Sequence, residues 1–236
     1  MKKIVLASLI FMIVAAMNLN AQVTVHDANA VVRNTPAFNS IVLSSAIDLY
    51  FTQSAKPGVA VSANDARFTE NITTEVRNNT LYIDYKGSNT FGAKFLRAYV
   101  SAPEVFRISA SGACNVRIEG DYKGQDLNVT LGGSSDFRGK VYLTNLNLSV
   151  SGSSDIFIEG SAVNFRADIS GSSDLKAQDL VTQFADISAA GASDVTVNVT
   201  KEMKANASGA STIFYLGSGV VKEVSTTGAS NIKKKN

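Results

Sequence analysis

Four aspartates at nearly equal spacing, Asp136, Asp155, Asp174 and Asp194, are the residues of this chain best suited to chemistry. Each follows a serine, in GGSSDF, SGSSDI, SGSSDL and AGASDV, so a hydroxyl and a carboxylate recur together. Paired carboxylates can cleave glycosides, with Arg138 or Lys176 as the neighbouring base, and carboxylates gathered in one place can bind calcium. A nucleophilic serine needs a base, and the only histidine is His26, near the N-terminus. A Ser-His-Asp or Cys-His triad and a His-ligated zinc site are therefore not expected.

The aspartates belong to a larger pattern. Gly112, Gly133, Gly152, Gly171, Gly191, Gly209 and Gly228 each open a similar hexapeptide, with steps of 21, 19, 19, 20, 18 and 19 residues. A period of this length marks a solenoid, in which one unit stacks on the next, rather than a set of active sites. Positions two, four and six before each glycine and four after it are mostly apolar, as in Leu127, Val129, Leu131 and Phe137. Side chains alternate across a strand, so these columns face the interior and the odd positions face water. The sequence thus predicts an all-β right-handed parallel β-helix of about seven rungs, each 18–21 residues long. Six steps of about 4.8 Å make a rod roughly 29 Å long.

Two residues after each glycine lie Cys114, Ser135, Ser154, Ser173, Ser193, Ser211 and Ser230, which share the inward parity. Equivalent copies with no activating base are read as a corner of small side chains bonded to backbone, and Cys114 as inert. The aspartates lie one residue further on. Stacked one rung apart, each pair repels by about 0.9 kcal/mol in water. Local turn bonding, which also suits Asn115, Thr212 and Asn231 in the same column, competes here with calcium. One acid per rung favours the turn, because calcium takes six to eight oxygens. No other cofactor is called for.

Surface contacts are sought among Phe157 and Phe214, five residues after their glycines, and nearby Tyr142 and Tyr215. These aromatics suit sugar stacking or self-association. The column three before the glycine, from Ser109 to Ser225, is mostly Ser, Thr and Asn. It offers a flat face on which a second copy could pack into a homo-oligomer.

Residues 22–108 alternate as well, at Ile41 and Leu43, at Ile47, Leu49 and Phe51, and at Leu81, Ile83 and Tyr85. They are read as irregular strands that begin and cap the solenoid, with residues 109–236 as the repeat. Ser44–Asp48 faintly echoes the corner. Residues 1–21 read as a signal peptide: Lys2-Lys3, an apolar run from Ile4 to Met17, and Ala21 before the cut. That run is short for a bilayer span, and no later stretch qualifies. Two of the 22 Lys and Arg lie in the leader, which leaves 20 against 20 Asp and Glu. A neutral exported chain with one cysteine is not a nucleic-acid binder and is built without disulfides. Lys233-Lys234-Lys235 reads as a solvated tail.

The strands Ile47-Asp48-Leu49-Tyr50-Phe51 and Leu81-Tyr82-Ile83-Asp84-Tyr85, followed by SGACNV, GSSDI and GASDV, resemble the head GIN domain family. That family is described as autotransporter adhesin heads, and the resemblance runs from about Val31 to Ile232. It implies a parallel β-helix, export and an adhesive role, with no catalytic residues to carry over. Ala46-Ile47-Asp48 departs from a Gly-Ile-Asn/Asp motif, and no β-barrel translocator follows the repeats. The expectation is a non-enzymatic protein of the periplasm, outer membrane or exterior that binds a glycan or a surface or matrix protein. A polysaccharide-active β-helix enzyme, a self-assembling envelope component and a sensor ectodomain are the alternatives.

Overall fold

A computed structural model describes residues 27–88 and 90–235, so the leader and His26 lie outside the described residues. The alternating N-terminal part forms eight short strands: β1 (Val31–Arg33), β2 (Ser40–Leu43), β3 (Asp48–Gln53), β4 (Gly58–Ala63), β5 (Ile72–Arg77), β6 (Thr80–Tyr85), β7 (Leu96–Ala102) and β8 (Arg107–Gly112). The repeats form five long strands: β9 (Asn115–Gly133), β10 (Asp136–Val150), β11 (Asp155–Ile169), β12 (Asp174–Ala189) and β13 (Asp194–Ala207). Three short ones follow, β14 (Thr212–Leu216), β15 (Val220–Thr226) and β16 (Asn231–Lys234). Together they make an all-β solenoid of about seven turns, in one sheet.

Parallel register holds the turns together. Phe137 pairs with Ile156 and Val150 with Ile169, so like positions of the repeat stack on one another. Higher up, register slips between Phe157 and Gly160 and between Ala177 and Val181. These slips absorb the unequal rung lengths between a first face, just after each corner, and a second face, just before the next. The inward columns are buried as the alternation requires, from Leu127, Val129 and Leu131 to Met203, Ala205 and Ala207. Two places depart from it: in the last rung Val224 and Thr226 are exposed and Ile232 half-buried, because no described rung stacks beyond them, and Phe106 is not fully buried. β8 starts only at Arg107, so the alternation does not reach back to Phe106, and Val105 is buried instead. The fully buried Tyr122 fixes Val105, its hydroxyl accepting from the backbone N–H (3.1 Å) and donating to the carbonyl (2.8 Å).

The corners explain the glycines. Gly152 has φ +96°, and a Cβ there would lie 2.1 Å from the carbonyl oxygen of Gly133, one rung below. The same clash repeats up the column, because each glycine carbonyl accepts an N–H from the residue after the next glycine, as in Ser153 to Gly133 at 2.8 Å. Ser45 occupies this place in the N-terminal part, with φ 70° and its carbonyl accepting from Ala113 at 2.9 Å. The echo in Ser44–Asp48 is thus a true corner.

The N-terminal rungs are out of sequence order. β3 lies between β7 and β9, and β2 between β6 and β8. The chain therefore lays down an inner rung, passes outward through β4 to β7, and returns beyond its starting point. β4 runs antiparallel to β7, and β5 to β6, the latter pair joined at Asn78 and Asn79, both at positive φ. Between β4 and β5 sits a helix that the sequence reading lacks, α1 (Ala66–Asn71), capped by the Asp65 carboxylate on the Arg67 N–H. Six residues are too few to show helical periodicity.

The other end is more open. Val220 and Val224 of β15 are each 59% exposed. Lys233 and Lys234 are not a tail but part of β16, paired with Phe214 and Tyr215 of β14. Exposed lysines on an outer strand disfavour pairing with another chain. Replacing Lys233, Lys234 and Lys235 with alanine should therefore increase self-association, read by light scattering; an unchanged monomer fraction would refute this role. Gly152→Ala should cost at least about 2 kcal/mol in a denaturant titration. Gly120, at φ +78° with nothing within 4 Å of the added Cβ, is the contrast, and Gly120→Ala should cost only about 1 kcal/mol. Equal losses at both would show that stacking is not what selects glycine.

Candidate binding faces of the rod

The serine column is bonded inside the corner. Ser135, Ser154, Ser173, Ser193 and Ser211 are buried, and Ser135, Ser173, Ser193 and Ser211 each donate to the carbonyl three residues earlier. Each hydroxyl from Ser135 to Ser193 also accepts the N–H of the inner residue one rung below, at 3.2–3.4 Å. Cys114 takes the same place with its thiol toward the Ser45 and Ser111 carbonyls, and burial pushes its pKa up. These hydroxyls satisfy backbone groups that water cannot reach.

The aspartates form one column on the first face. Register places Asn115 beside Asp136 and Asp155 beside Asp174, with Asp194 following. Two of the four carboxylates have a local partner, and the partners differ. Asp136 accepts the Asp155 N–H at 3.0 Å, and Lys176 lies 3.8 Å from Asp174. Below them Asn115 donates to Asp48 at 2.7 Å. Among the described residues, no three His, Cys, Asp or Glu side chains converge as a metal cage would require. Nor does Arg138 ion-pair with Asp136.

Arg138 leans over Phe157 instead, at 4.3 Å, while Lys176 covers the ring from the next rung at 4.6 Å. Phe157 is half-buried between two cations, an arrangement that stabilises the outward column and leaves a sugar only the ring edge. Phe214 lies in the same column, three rungs on, beside Lys235. Tyr142 is elsewhere, on the stretch joining the two faces, flanked by Lys123 and Lys140. The three aromatics do not form one platform.

A groove of about 510 Å³ lies on the second face, in columns that the sequence reading passed over. Seven residues before successive glycines stand Asp126, Asn145, Asn164, Phe184 and Glu202; five before stand Asn128, Asn147, Arg166, Asp186 and Lys204. In the lower rungs amides chain together across the turns. Asn145 donates to Asp126 at 2.7 Å, Asn164 to Asn145 at 2.8 Å, and Asn147 to Asn128 at 3.0 Å. In the upper rungs charges pair: Arg166 with Asp168 and Asp186, Lys204 with Glu223, and Lys222 with Glu202. Phe184 is 38% exposed beside them. Counting two further odd positions back from each glycine would have found these columns.

If the corner is inert, Cys114 should not react with a thiol reagent in the folded protein at neutral pH and should react fully in denaturant. Rapid native labelling would refute the burial described above.

The comparisons with known proteins agree with this geometry. No curated protein matches the chain. A "putative adhesin" from Bacteroides fragilis NCTC 9343 has a similar solved structure, with a TM-score of 0.81 and 24% identity over 89% of this chain and 98% of its own. A "putative lipid binding protein" from Parabacteroides distasonis ATCC 8503 aligns with a TM-score of 0.70 and 20% identity over the same shares. A "putative adhesin" from Parabacteroides merdae ATCC 43184 gives 0.70 and 16%, again over 89% and 98%. At these identities the likeness is one of fold. Residues 37–219 match the family described as "Putative auto-transporter adhesin, head GIN domain", and the chain belongs to that family.

Proposed function

We propose that this protein is an exported, non-enzymatic, adhesin-like module that binds a glycan or a surface or matrix protein of the cell exterior. The adhesin naming of the family supports surface or exported placement. Among the described residues no helix is long and apolar enough to cross a membrane. The observation that carries the reading is the second-face groove, where polar side chains from six successive rungs line one continuous surface. Recognition by such a surface is spread over many weak, repeated contacts, whereas catalysis concentrates a few perturbed groups at one point. The carboxylates of the first face are instead spaced one per rung, with Asp136 on a backbone N–H, Asp174 beside a lysine and Asp48 on an amide.

The test is a binding screen of residues 22–236 against glycans and extracellular-matrix proteins, with product analysis on each glycan and with calcium or chelator present. Saturable binding without cleavage is the expected result. Cleavage of any polysaccharide would establish the enzyme reading instead, and absence of binding together with a stable homo-oligomer would favour a structural envelope component.

A further inference from the structure

We propose that the second-face groove takes an uncharged, extended oligosaccharide laid along the rod axis. This rests on the binding-module reading above and commits it to one site and one ligand chemistry. Electrostatics gives the first argument. Three acids, Asp126, Asp186 and Glu202, and three bases, Arg166, Lys204 and Lys222, line the groove. Arg166 already bonds Asp186 at 2.9 Å, and Lys222 lies 3.7 Å from Glu202. A polyanion would meet the acids and a polycation the bases, so neither gains from the field of the site.

Shape and repetition give the second argument. From Asp126 to Glu202 the outer column crosses four rung steps, about 19 Å at about 4.8 Å per step. That is long enough for a chain of sugars rather than one. Each amide of the ladder donates one N–H to its neighbour and keeps a second N–H and a carbonyl lone pair for a ligand. A row of such groups at constant spacing suits a ligand whose hydroxyls also repeat. Phe184 supplies the one exposed apolar side chain, with a single cation, Lys201, 5.4 Å from its ring, and it is flanked in register by Asn164 below and Glu202 above. A protein partner would need several aromatic or aliphatic anchors in a desolvated centre, and this groove exposes one.

The experiment is calorimetric titration of residues 22–236 with linear neutral gluco-, manno- and galacto-oligosaccharides. Polygalacturonate and heparin serve as acidic comparators and fibronectin as a protein comparator. At least one neutral series should bind, with affinity rising with chain length and little affected by salt. Phe184→Ala, an exposed change that leaves the core intact, and Asn164→Ala should each weaken it about tenfold or more. Arg138→Ala on the first face should not. Sugar binding that survives both groove variants, or that is confined to the acidic polymers, overturns this site while leaving the binding-module reading in place. So does binding of fibronectin without any neutral sugar. Binding to none of the probes overturns the site and weakens the parent reading with it.

Discussion

The whole rod depends on one close approach of backbone to backbone. At each corner the carbonyl of one glycine occupies the space where the next rung would place a Cβ, and it accepts an N–H from the residue just beyond. Glycine meets both demands at once, a positive φ and an absent side chain. Because the corners stack directly, the strands that leave them start in register, and all inward positions of one rung meet those of the next. The serine beneath each corner completes it by bonding backbone groups within the turn and in the rung below. The most conspicuous sequence motif is therefore architectural.

With the interior fixed by the corner, the outward positions are free to differ. They do so as columns rather than as isolated residues, since any outward side chain has the same repeat position of two other rungs as its nearest neighbours. The first face alternates acids with cations stacked on aromatic rings, as Phe157 shows. The second face carries amides below and ion pairs above. Exposed ion pairs contribute little stability. The physical consequence of the upper ladder is instead a surface whose opposite charges are already matched, which sets the kind of ligand it can favour.

The two ends solve the edge problem differently. At the N-terminal end, three antiparallel pairings, β1 with β4, β4 with β7 and β5 with β6, and a short helix replace the parallel stacking, and the chain crosses outward and back to place them. At the other end the lysines of β16 line the outer strand. Antiparallel pairing and charge are both ways of denying a partner strand the template that a parallel edge presents.

The sequence by itself determined the repeat, the inward columns and the corners, because φ at a glycine and the alternation of a strand are local properties. Gly112 to Gly228, the serine column and the buried Leu127, Val129 and Leu131 all follow from counting. Tertiary structure alone decided which outward columns adjoin. The slips after Phe157 and Ala177 depend on how unequal rungs pack, and they set which side chain of one rung meets which of the next beyond the corner. It also decided that β2 and β3 lie inside the rung that follows them in sequence, and that Lys233 and Lys234 end a sheet. Pairing partners of a strand are chosen by the finished stack, whose free energy is shared over many distant contacts, so neither result is written in any short stretch of chain.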